Sequence, residues 1–483
     1  MIPLGRFRAK ELNITRSTTH GWVDVYEVDP SELLSFNRLD LASKIRFAEE
    51  YLDGNLSHDA VEEYLQTIDA FTRGRFTEPG DPDKDSPDKF VESFKHTIDS
   101  IADEGFDPSE SVVPVSADFA ICDGAHRLAA CTAVGCTLQV AVVQPEGGLR
   151  WNNAFFKRKM IDEGLIEKFS LKLSMHFDDW GCLLIWPSVS KESKTEILSE
   201  LNKRQGLSTF KYQFSFTRTG LIHLNLLCYR GDTWTSHPVL GYLPLRQRAR
   251  RVRASGDVQT VYVIVLDVSQ REVSELKTDL RESLVLPNES IHAPDTQHEA
   301  REFLKHLFNP HTRHLFNYGS ILDSRLYDEI AKLEELDLMD GSFIVDSSAV
   351  LDAYGIRKAA DVDYIAHSRI RALESQLGWE FHGDVPYARR ALAQDLQKLN
   401  EHIYLFGLKI LSLESLHSYY RQVDDIKKSS DRNLMRPYIA KSTGRKTARQ
   451  RLYHFKDRGE NFLIRKVYNR FNFLRQKIHQ RFN

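Results

Sequence analysis

The sequence contains few cysteines and no long hydrophobic run. The five cysteines are odd in number and include no Cys-x-x-Cys unit, which argues against both a disulfide framework and a zinc ribbon. No stretch of eighteen apolar residues occurs, so a transmembrane helix is not expected. The first residues, MIPLGRFRAKELNITRS, lack the apolar core of a secretory signal. These absences predict a soluble, reduced protein of the cytoplasm.

Charge of one sign is not in excess over the whole chain either. The 65 basic and 68 acidic residues give a net charge of −3, which excludes a coat of positive charge suited to nucleic acid. The distribution is uneven, because the residues from Arg432 to the end include 15 basic and two acidic side chains. The preceding residues therefore carry about −16, so the sequence predicts an acidic body with a basic arm.

The hydrophobic patterns predict a multi-domain chain of α+β and α/β class with four segments. Residues 1–150 mix helical and strand patterns without strict alternation, which favours a compact α+β domain. Residues 151–317 alternate helical patterns with continuous apolar runs, WGCLLIWPSV and TVYVIVLDV, which predicts a central α/β domain with a parallel sheet. Residues 318–440 form a further α/β pattern, and residues 441–483 are a basic, amphipathic helical tail.

The tetrad around Asp123 lies where a predicted strand ends and a helix begins. Gly124 allows a tight turn, and the helix N-terminus offers free N–H groups and the positive end of the helix dipole. His126 and Arg127 add hydrogen-bond donors, so the turn suits a phosphate, while Asp123 suits a metal ion or a base toward a hydroxyl. The alternative is an ordinary helix cap with a surface histidine and arginine.

These residues carry a resemblance to a known fold. AICDGAHRLAACTAVG, preceded by VVPV and followed by LQVAVV, resembles the phosphate-binding motif of the ParB/sulfiredoxin fold, and VDPSELLSFNRLD is similar to its opening segment. The resemblance implies nucleotide binding, with Asp123, His126 and Arg127 at the phosphates. Ala125 stands where a sulfiredoxin has cysteine, and no helix-turn-helix follows as in the partitioning proteins. The free-serine kinases of the fold are therefore the nearest in expected chemistry.

Two further cations near the start of the chain are candidate phosphate contacts. Arg38 follows the opening strand and Lys44 lies in the next helix; for each, the alternative is a solvated surface residue. Asp40 and Glu78 are additional carboxylates that could serve as the base, and their spacing does not select between them.

A second motif, FIVDSSAVLDAYGIRKAADVDYIA, predicts a short helix between two strands. In a strand, residues i and i+2 share a face, so Asp361 and Asp363 are predicted to present both carboxylates to one Mg²⁺ ion. Metal ions held in this way support in-line nucleotidyl transfer. Ser347 and Ser348 precede the helix, where phosphates bind.

This pattern resembles the nucleotidyltransferase superfamily, in which a small residue and a serine precede an Asp-x-Asp pair by about a dozen residues. Ser348 and Asp361 are thirteen residues apart, and GLKILSLESL continues the similarity. The sequence departs from the family at Asp346, where glycine is usual, and a third carboxylate is not evident near Glu401 and His402. An active transferase, a degenerate binding domain and an exposed strand end all remain open.

Two weaker patterns complete the set of candidates. In SIHAPDTQHEAREFL, a capping box between Thr296 and Glu299 explains most of the segment, and His292 and His298 are the alternative ligands. In the tail, an aromatic face that includes Phe462 lies beside basic residues, which suits an anionic membrane surface. A nucleic-acid arm or a dimerisation helix is the alternative.

Taken together, the motifs predict a cytoplasmic transferase that moves a phosphoryl group from ATP or another nucleotide, with Mg²⁺, to a hydroxyl acceptor. The acceptor is a small molecule or a glycan precursor, and a coupled nucleotidyl transfer would fit cell-surface polysaccharide modification. The tail adds peripheral contact with the inner face of the membrane. The alternatives are a nucleotide-gated DNA- or partner-binding protein of the ParB type and a nucleic-acid-processing enzyme, which the acidic body disfavours.

Overall fold

The computed structural model describes most of the chain in ranges separated by short gaps. These ranges are residues 1–8, 12, 22–78, 84–144, 150–204, 207–236, 241–339, 341–384, 402–422 and 425–443. Residues Met1–Ser412 form one compact unit, and the chain from Leu413 onward forms a second. In the described part the fold is mixed α/β, with 17 α-helices and three sheets. The mixed α/β class agrees with the prediction, and the particular domain folds stay predictions.

The first sheet has four strands in the order β1-β2-β4-β3. Its strands are β1 (Ile2–Arg8), β2 (Trp22–Val28), β3 (Val113–Ser116) and β4 (Leu138–Gln144). Strands β3 and β4 are parallel, whereas β2 pairs antiparallel with both β1 and β4. Four helices accompany the sheet: α1 (Asp40–Leu52), α2 (His58–Thr72), α3 (Pro87–Glu104) and α4 (Ala125–Val134). The arrangement agrees with the predicted α+β pattern.

Helix α3 shows why these segments are helical. Ser86 precedes it and Pro87 is its first residue, a position where the missing N–H of proline costs nothing. Its buried residues, Phe90, Phe94, Ile98 and Ile101, recur at helical spacing and form one apolar stripe. Phe94 packs on Phe47 of α1 and Tyr64 of α2, so the stripe anchors the three helices to each other.

The second sheet corrects the predicted strand direction. Its strands are β5 (Gly181–Ile185), β6 (Thr209–Phe216), β7 (Gln259–Leu266) and β8 (Ile291–His292), in the order β6-β7-β5-β8. Every pairing is antiparallel, so the predicted parallel sheet is wrong. The continuous apolar runs indicate strands that are buried on both faces. Helices that cover both faces of a sheet bury central antiparallel strands in the same way as parallel ones.

Eight helices belong to this central region. They are α5 (Asn153–Arg158), α6 (Glu163–Ser174), α7 (Lys191–Lys203), α8 (Arg218–Tyr229), α9 (Leu243–Arg251), α10 (Gln270–Ser283), α11 (Gln297–Leu307) and α12 (Pro310–Tyr318). A buried cluster joins the sheet to α7 and α10, with Leu183 and Ile264 from the strands packed with Ile197 and Leu276 from the helices.

The third sheet has five strands in the order β11-β10-β9-β13-β12. They are β9 (Phe343–Asp346), β10 (Asp363–Ala366), β11 (Glu380–Phe381), β12 (His402–Leu405) and β13 (Leu408–Leu411). Strand β9 is antiparallel to β10 and parallel to β13, while β10 and β11 are parallel. The helices of this region are α13 (Arg325–Glu335), α14 (Ser348–Ala353) and α15 (Arg371–Leu377).

The second unit contains helices α16 (Leu413–Tyr420) and α17 (Ile426–Thr443). Helix α17 runs through the predicted boundary between residues 440 and 441. The basic tail after Thr443, with its aromatic face, lies outside the described residues. Among the helices that are described, none has the length and apolar character needed to cross a membrane. Each of the first three predicted segments carries one sheet, and the boundaries drawn between them stay predictions.

Candidate functional site

A cavity of about 500 Å³ opens among helices α1, α2 and α4. Its lining includes Arg38, Lys44, Asp123 and His126, all of them singled out from the sequence. Arg73, Arg75 and Glu78 also line it, so cationic side chains outnumber carboxylates in the described part of the wall. Side chains separated by more than eighty residues in sequence thus meet around one space.

A buried carboxylate holds the two N-terminal cations in place. Asp40 is fully buried and accepts hydrogen bonds from Arg38 Nε at 2.9 Å and from Lys44 Nζ at 2.8 Å. Burial alone would raise the pKa of Asp40, but the adjacent charges of Arg38 and Lys44 prevail and hold it well below its ordinary value. Asp40 is therefore the fixed counter-ion of both cations, a role that conflicts with its use as a general base.

The two cations also have aromatic neighbours. The Phe71 and Trp151 rings stack with centroids 3.9 Å apart. The guanidinium of Arg38 lies 4.6 Å from the Trp151 ring, and Lys44 Nζ lies 5.3 Å from the Phe71 ring. Because Trp151 is backbone-bonded to Asn37 and Leu39, this wall is fixed to the segment that carries Arg38. The cavity thus joins a charged side to a flat apolar side.

The turn before α4 has the conformation that the sequence predicts. Gly124 lies in the left-handed region with a φ of +83°, and a Cβ there would come within 3.0 Å of Val113. Its N–H donates to the Asp123 carboxylate at 2.8 Å. Helix α4 then begins at Ala125, with no side chain capping its first turn. Asp123 of this turn and Ala125 and His126 at the start of α4 line the same cavity.

His126 lies at this turn in an aromatic setting. Its Nε2 is 3.0 Å from the hydroxyl of Tyr64, and its ring packs edge-on against Phe94. The Tyr64 hydroxyl donates to the carbonyl of Phe90, so it accepts from His126 when Nε2 carries the proton. Burial lowers the pKa of His126 well below 6.5, so the imidazole is neutral at neutral pH.

Arg127 is placed differently from the other candidates. Its guanidinium donates to the carbonyl oxygen of Ser111 at 3.0 Å, and it is not among the residues that line the cavity. In this structure it braces the start of α4 against the segment before β3. The predicted phosphate contact through Arg127 therefore has no support from its position.

The second motif lies at one end of the third sheet. Strand β10 begins at Asp363, which pairs with Asp346 of β9 and with Glu380 of β11. Asp361 lies in a bend before this strand, and its carboxylate accepts from the Ser348 hydroxyl at 3.0 Å. The predicted strand that would present Asp361 and Asp363 on one face is wrong, because regular pairing starts two residues later than the sequence pattern indicates.

Ser347 and His382 lie between the carboxylates of this motif. Ser347 has a φ of +55°, a conformation that favours glycine, and its N–H donates to Asp346. His382 Nδ1 lies 3.5 Å from Asp346 Oδ2, and its Nε2 lies 3.3 Å from Asp363 Oδ1. Burial raises the pKa of Asp363 to about 6; His382 opposes the shift, and the carboxylates of Asp346, Asp361 and Glu380 add to it.

The candidate metal ligands that the described residues bring together differ from the predicted pair of aspartates. Candidate ligand atoms of Asp363, Glu380 and His382 lie within 4.8 Å of one another. This set contains an imidazole nitrogen, whereas Mg²⁺ prefers oxygen ligands, and it does not include Asp361. The metal-binding role predicted for Asp361 therefore lacks the geometry on which it was based.

A further cavity, of about 580 Å³, borders helices α8 and α11. His292 and His298 both line it, and burial lowers the pKa of His292 to about 3. The predicted capping box is confirmed, since the Thr296 hydroxyl accepts from the N–H of Glu299 at 3.2 Å and Glu299 accepts from the N–H of Thr296 at 3.3 Å. The main role of this segment is therefore to begin helix α11.

The sequence interpretation missed Trp151, Glu380 and His382. Trp151 lies one residue beyond the predicted segment boundary at residue 150. Glu380 and His382 are spaced for one face of a strand in GWEFHGD, but no local pattern indicates that this strand lies beside Asp363. A search for every Asp, Glu and His pair at a spacing of two could have found them.

Comparison of the chain with protein-family models, with curated proteins and with solved structures gives no match. Both resemblances therefore rest on the sequence motifs alone.

Proposed function

We propose that the N-terminal cavity binds the phosphates of a nucleotide and that the protein transfers a phosphoryl group to a hydroxyl acceptor. The observation that carries this proposal is the pair of cations, Arg38 and Lys44, fixed by buried Asp40 at the wall of a cavity that also holds Asp123. Donors held in place before the ligand arrives stabilise charge on a transferring group without reorganisation.

Each residue has a role that follows from its position. Arg38 retains N–H groups beyond those that bond Asp40 and Ile121, and Lys44 retains ammonium protons, so both can donate to phosphate oxygens. The first N–H groups of α4 add donors on the same side. The flat face of Phe71 and Trp151 suits the nucleobase or the apolar part of the acceptor.

Asp123 is the proposed base. It would take the proton of the acceptor hydroxyl as the bond from that oxygen to the γ-phosphorus forms and the bond from phosphorus to the leaving diphosphate breaks. Glu78 is the competing carboxylate in the lining, but it pairs with Lys84 at 2.9 Å. That ion pair gives Glu78 a partner in Lys84, so we assign the base role to Asp123.

A second candidate function is nucleotidyl transfer at the third sheet, coupled to the first reaction. The observation that favours it is the cluster of carboxylates and His382 beside Ser347 and Ser348 at the start of α14. A cytoplasmic setting with a glycan acceptor and membrane contact through the tail belongs to the same proposal and rests on the sequence motifs.

The experiment that tests the proposal uses nucleotides labelled at the γ- or the α-phosphate. With Mg²⁺ and a panel of hydroxyl acceptors, γ-label in a product indicates phosphoryl transfer and α-label indicates nucleotidyl transfer. Asp123→Asn should abolish γ-transfer with nucleotide affinity retained, whereas Glu78→Gln should leave most of it. Binding of a nucleotide with no transfer to any acceptor would favour the alternative of a nucleotide-gated binding protein.

A further inference from the structure

The cluster at the end of the third sheet has a donor set of its own. Asp363 and Glu380 are partners in neighbouring parallel strands, so their side chains leave the same face of the sheet. The N–H of His382 donates to the carbonyl of Tyr364 at 2.8 Å, which continues the ladder and places His382 on the face of Glu380. Three residues of metal-ligating type thus share one face.

Their spacing is close to that of ligands around one ion. Two donors that each lie about 2.1 Å from a metal ion are at most about 4.2 Å apart. The ligand atoms of Asp363, Glu380 and His382 lie within 4.8 Å of one another, so small rotations of the side chains bring them onto one ion. Glu380 is exposed and His382 is partly exposed, which leaves positions open toward solvent.

A second carboxylate orients the histidine. Asp346 is fully buried, and its Oδ2 lies 3.5 Å from His382 Nδ1, on the opposite side of the ring from Asp363. A histidine that ligates through one ring nitrogen commonly gives the proton of the other to a carboxylate, which fixes the tautomer. Asp346, the residue that departs from the usual glycine of the resembled motif, supplies that carboxylate here.

We propose that Asp363, Glu380 and His382 bind a first-row transition-metal ion of the Mn²⁺ to Zn²⁺ series, in preference to Mg²⁺, with Asp346 as the positioning residue of His382. An imidazole nitrogen favours these ions, whereas Mg²⁺ favours oxygen donors throughout. The proposed metal site does not involve the N-terminal cavity. It names the metal ion for the second candidate function, and metal binding can be measured there whether or not the protein transfers a nucleotidyl group.

The test is titration of the metal-free, full-length protein with Co²⁺, a spectroscopic probe of the same ligand preference, followed through its visible absorption. We expect one ion per chain with an imidazole-containing spectrum, displaced by Zn²⁺ but not by excess Mg²⁺. His382→Ala and Glu380→Gln should each weaken Co²⁺ binding by roughly tenfold or more, as losses at or near a ligand do. Both positions are exposed enough for the variants to fold.

Matched controls separate this site from the other histidines and acids. His367 is exposed at the opposite end of β10, and Glu374 pairs with Arg369 on the surface of α15. His367→Ala and Glu374→Gln should bind Co²⁺ as wild type does. Equal affinity in His382→Ala and wild type, or displacement of Co²⁺ by Mg²⁺ at comparable concentration, would overturn the proposal, and so would the absence of Co²⁺ binding.

Discussion

At the scale of single residues, Asp40 holds the two cations on which the proposed phosphate site depends. Its carboxylate accepts from the Lys44 ammonium at 2.8 Å, a shorter contact than the one from Lys44 to the Asp40 carbonyl oxygen at 3.5 Å, and it binds Arg38 through two nitrogens. Two cations placed at one wall without this group would repel each other and would be drawn toward solvent. A single buried charge therefore keeps two cationic side chains at the wall of the cavity, as the proposed phosphate site requires.

Asp40→Asn tests this dependence through stability. Removing one partner of a buried ion pair leaves an uncompensated charge, so we expect a loss of about 3–5 kcal/mol in the free energy of unfolding. Urea denaturation measures it. Asp53→Asn, an exposed position at the far end of α1, is the matched control and should change stability by less than about 0.5 kcal/mol. A small effect at Asp40 would mean that the cations find other partners.

Asp363 gives a prediction with a defined pH window. Because its pKa is raised from 3.8 to about 6, the native state holds a proton that the unfolded state releases within that interval. The contribution of Asp363 to stability therefore falls as the pH rises from about 4 to 6. Asp363→Asn removes this titration. The free energy of unfolding of the variant, relative to that of the wild type, should therefore rise by on the order of 1 kcal/mol as the pH rises between these values, after allowance for solvent screening. Denaturation in EDTA at a series of pH values checks it, and a difference that does not vary with pH would contradict the assignment.

At the scale of secondary-structure elements, helix α4 links the turn to the cavity. Its two ends each carry a glycine with positive φ, Gly124 at +83° and Gly135 at +80°. A Cβ at Gly135 would meet nothing within 4 Å, whereas a Cβ at Gly124 would press on Val113 and on the Arg127 guanidinium. Both positions therefore carry the penalty of a left-handed backbone, but only Gly124 adds a steric conflict.

Alanine at these two positions separates conformation from packing. Gly135→Ala should cost about 1 kcal/mol for the left-handed backbone alone. Gly124→Ala should cost more, by about 1 kcal/mol or beyond, because β3 and the start of α4 must move apart. It should also weaken nucleotide binding, which Gly135→Ala should not. Thermal unfolding and calorimetry give both quantities, and equal costs would show that the contact with Val113 relaxes freely.

The elements also show where sequence interpretation succeeds. The strand, turn and helix around Asp123 follow from neighbouring residues, since a left-handed glycine and the apolar spacing of α4 are local properties. The direction of β5 and β7 is not local: two-sided burial gives the same apolar run in either direction, and only their pairing decides it. Likewise, the start of β10 depends on β9 and β11, which is why Asp361 was assigned to the strand.

At the scale of the whole molecule, the residues that matter come from distant parts of the chain. Arg38, Lys44 and the turn at Asp123 were found from the sequence because each carries a chemical type that phosphate binding needs. Trp151 and His382 were not found, because their importance lies only in what they touch. In the compact unit of residues 1–412, the N-terminal cavity is lined by residues of helices α1, α2 and α4 and of the segments beside them, whereas the cluster of Asp363, Glu380 and His382 lies at one end of the third sheet.

The central claim, nucleotide binding by the preformed cations, is tested most directly by isothermal titration calorimetry of Lys44→Ala against wild type. With ATP, ADP, CTP and GTP in the presence of Mg²⁺, wild type should bind at least one of them. Loss of a charged hydrogen bond at Lys44 should weaken that binding by about 1.5–3 kcal/mol. Lys89→Ala, a surface position on α3 that pairs with Asp85, should bind as wild type does. If folded Lys44→Ala binds the nucleotide as tightly as wild type, or if wild type binds none of the four, the account of this cavity is contradicted.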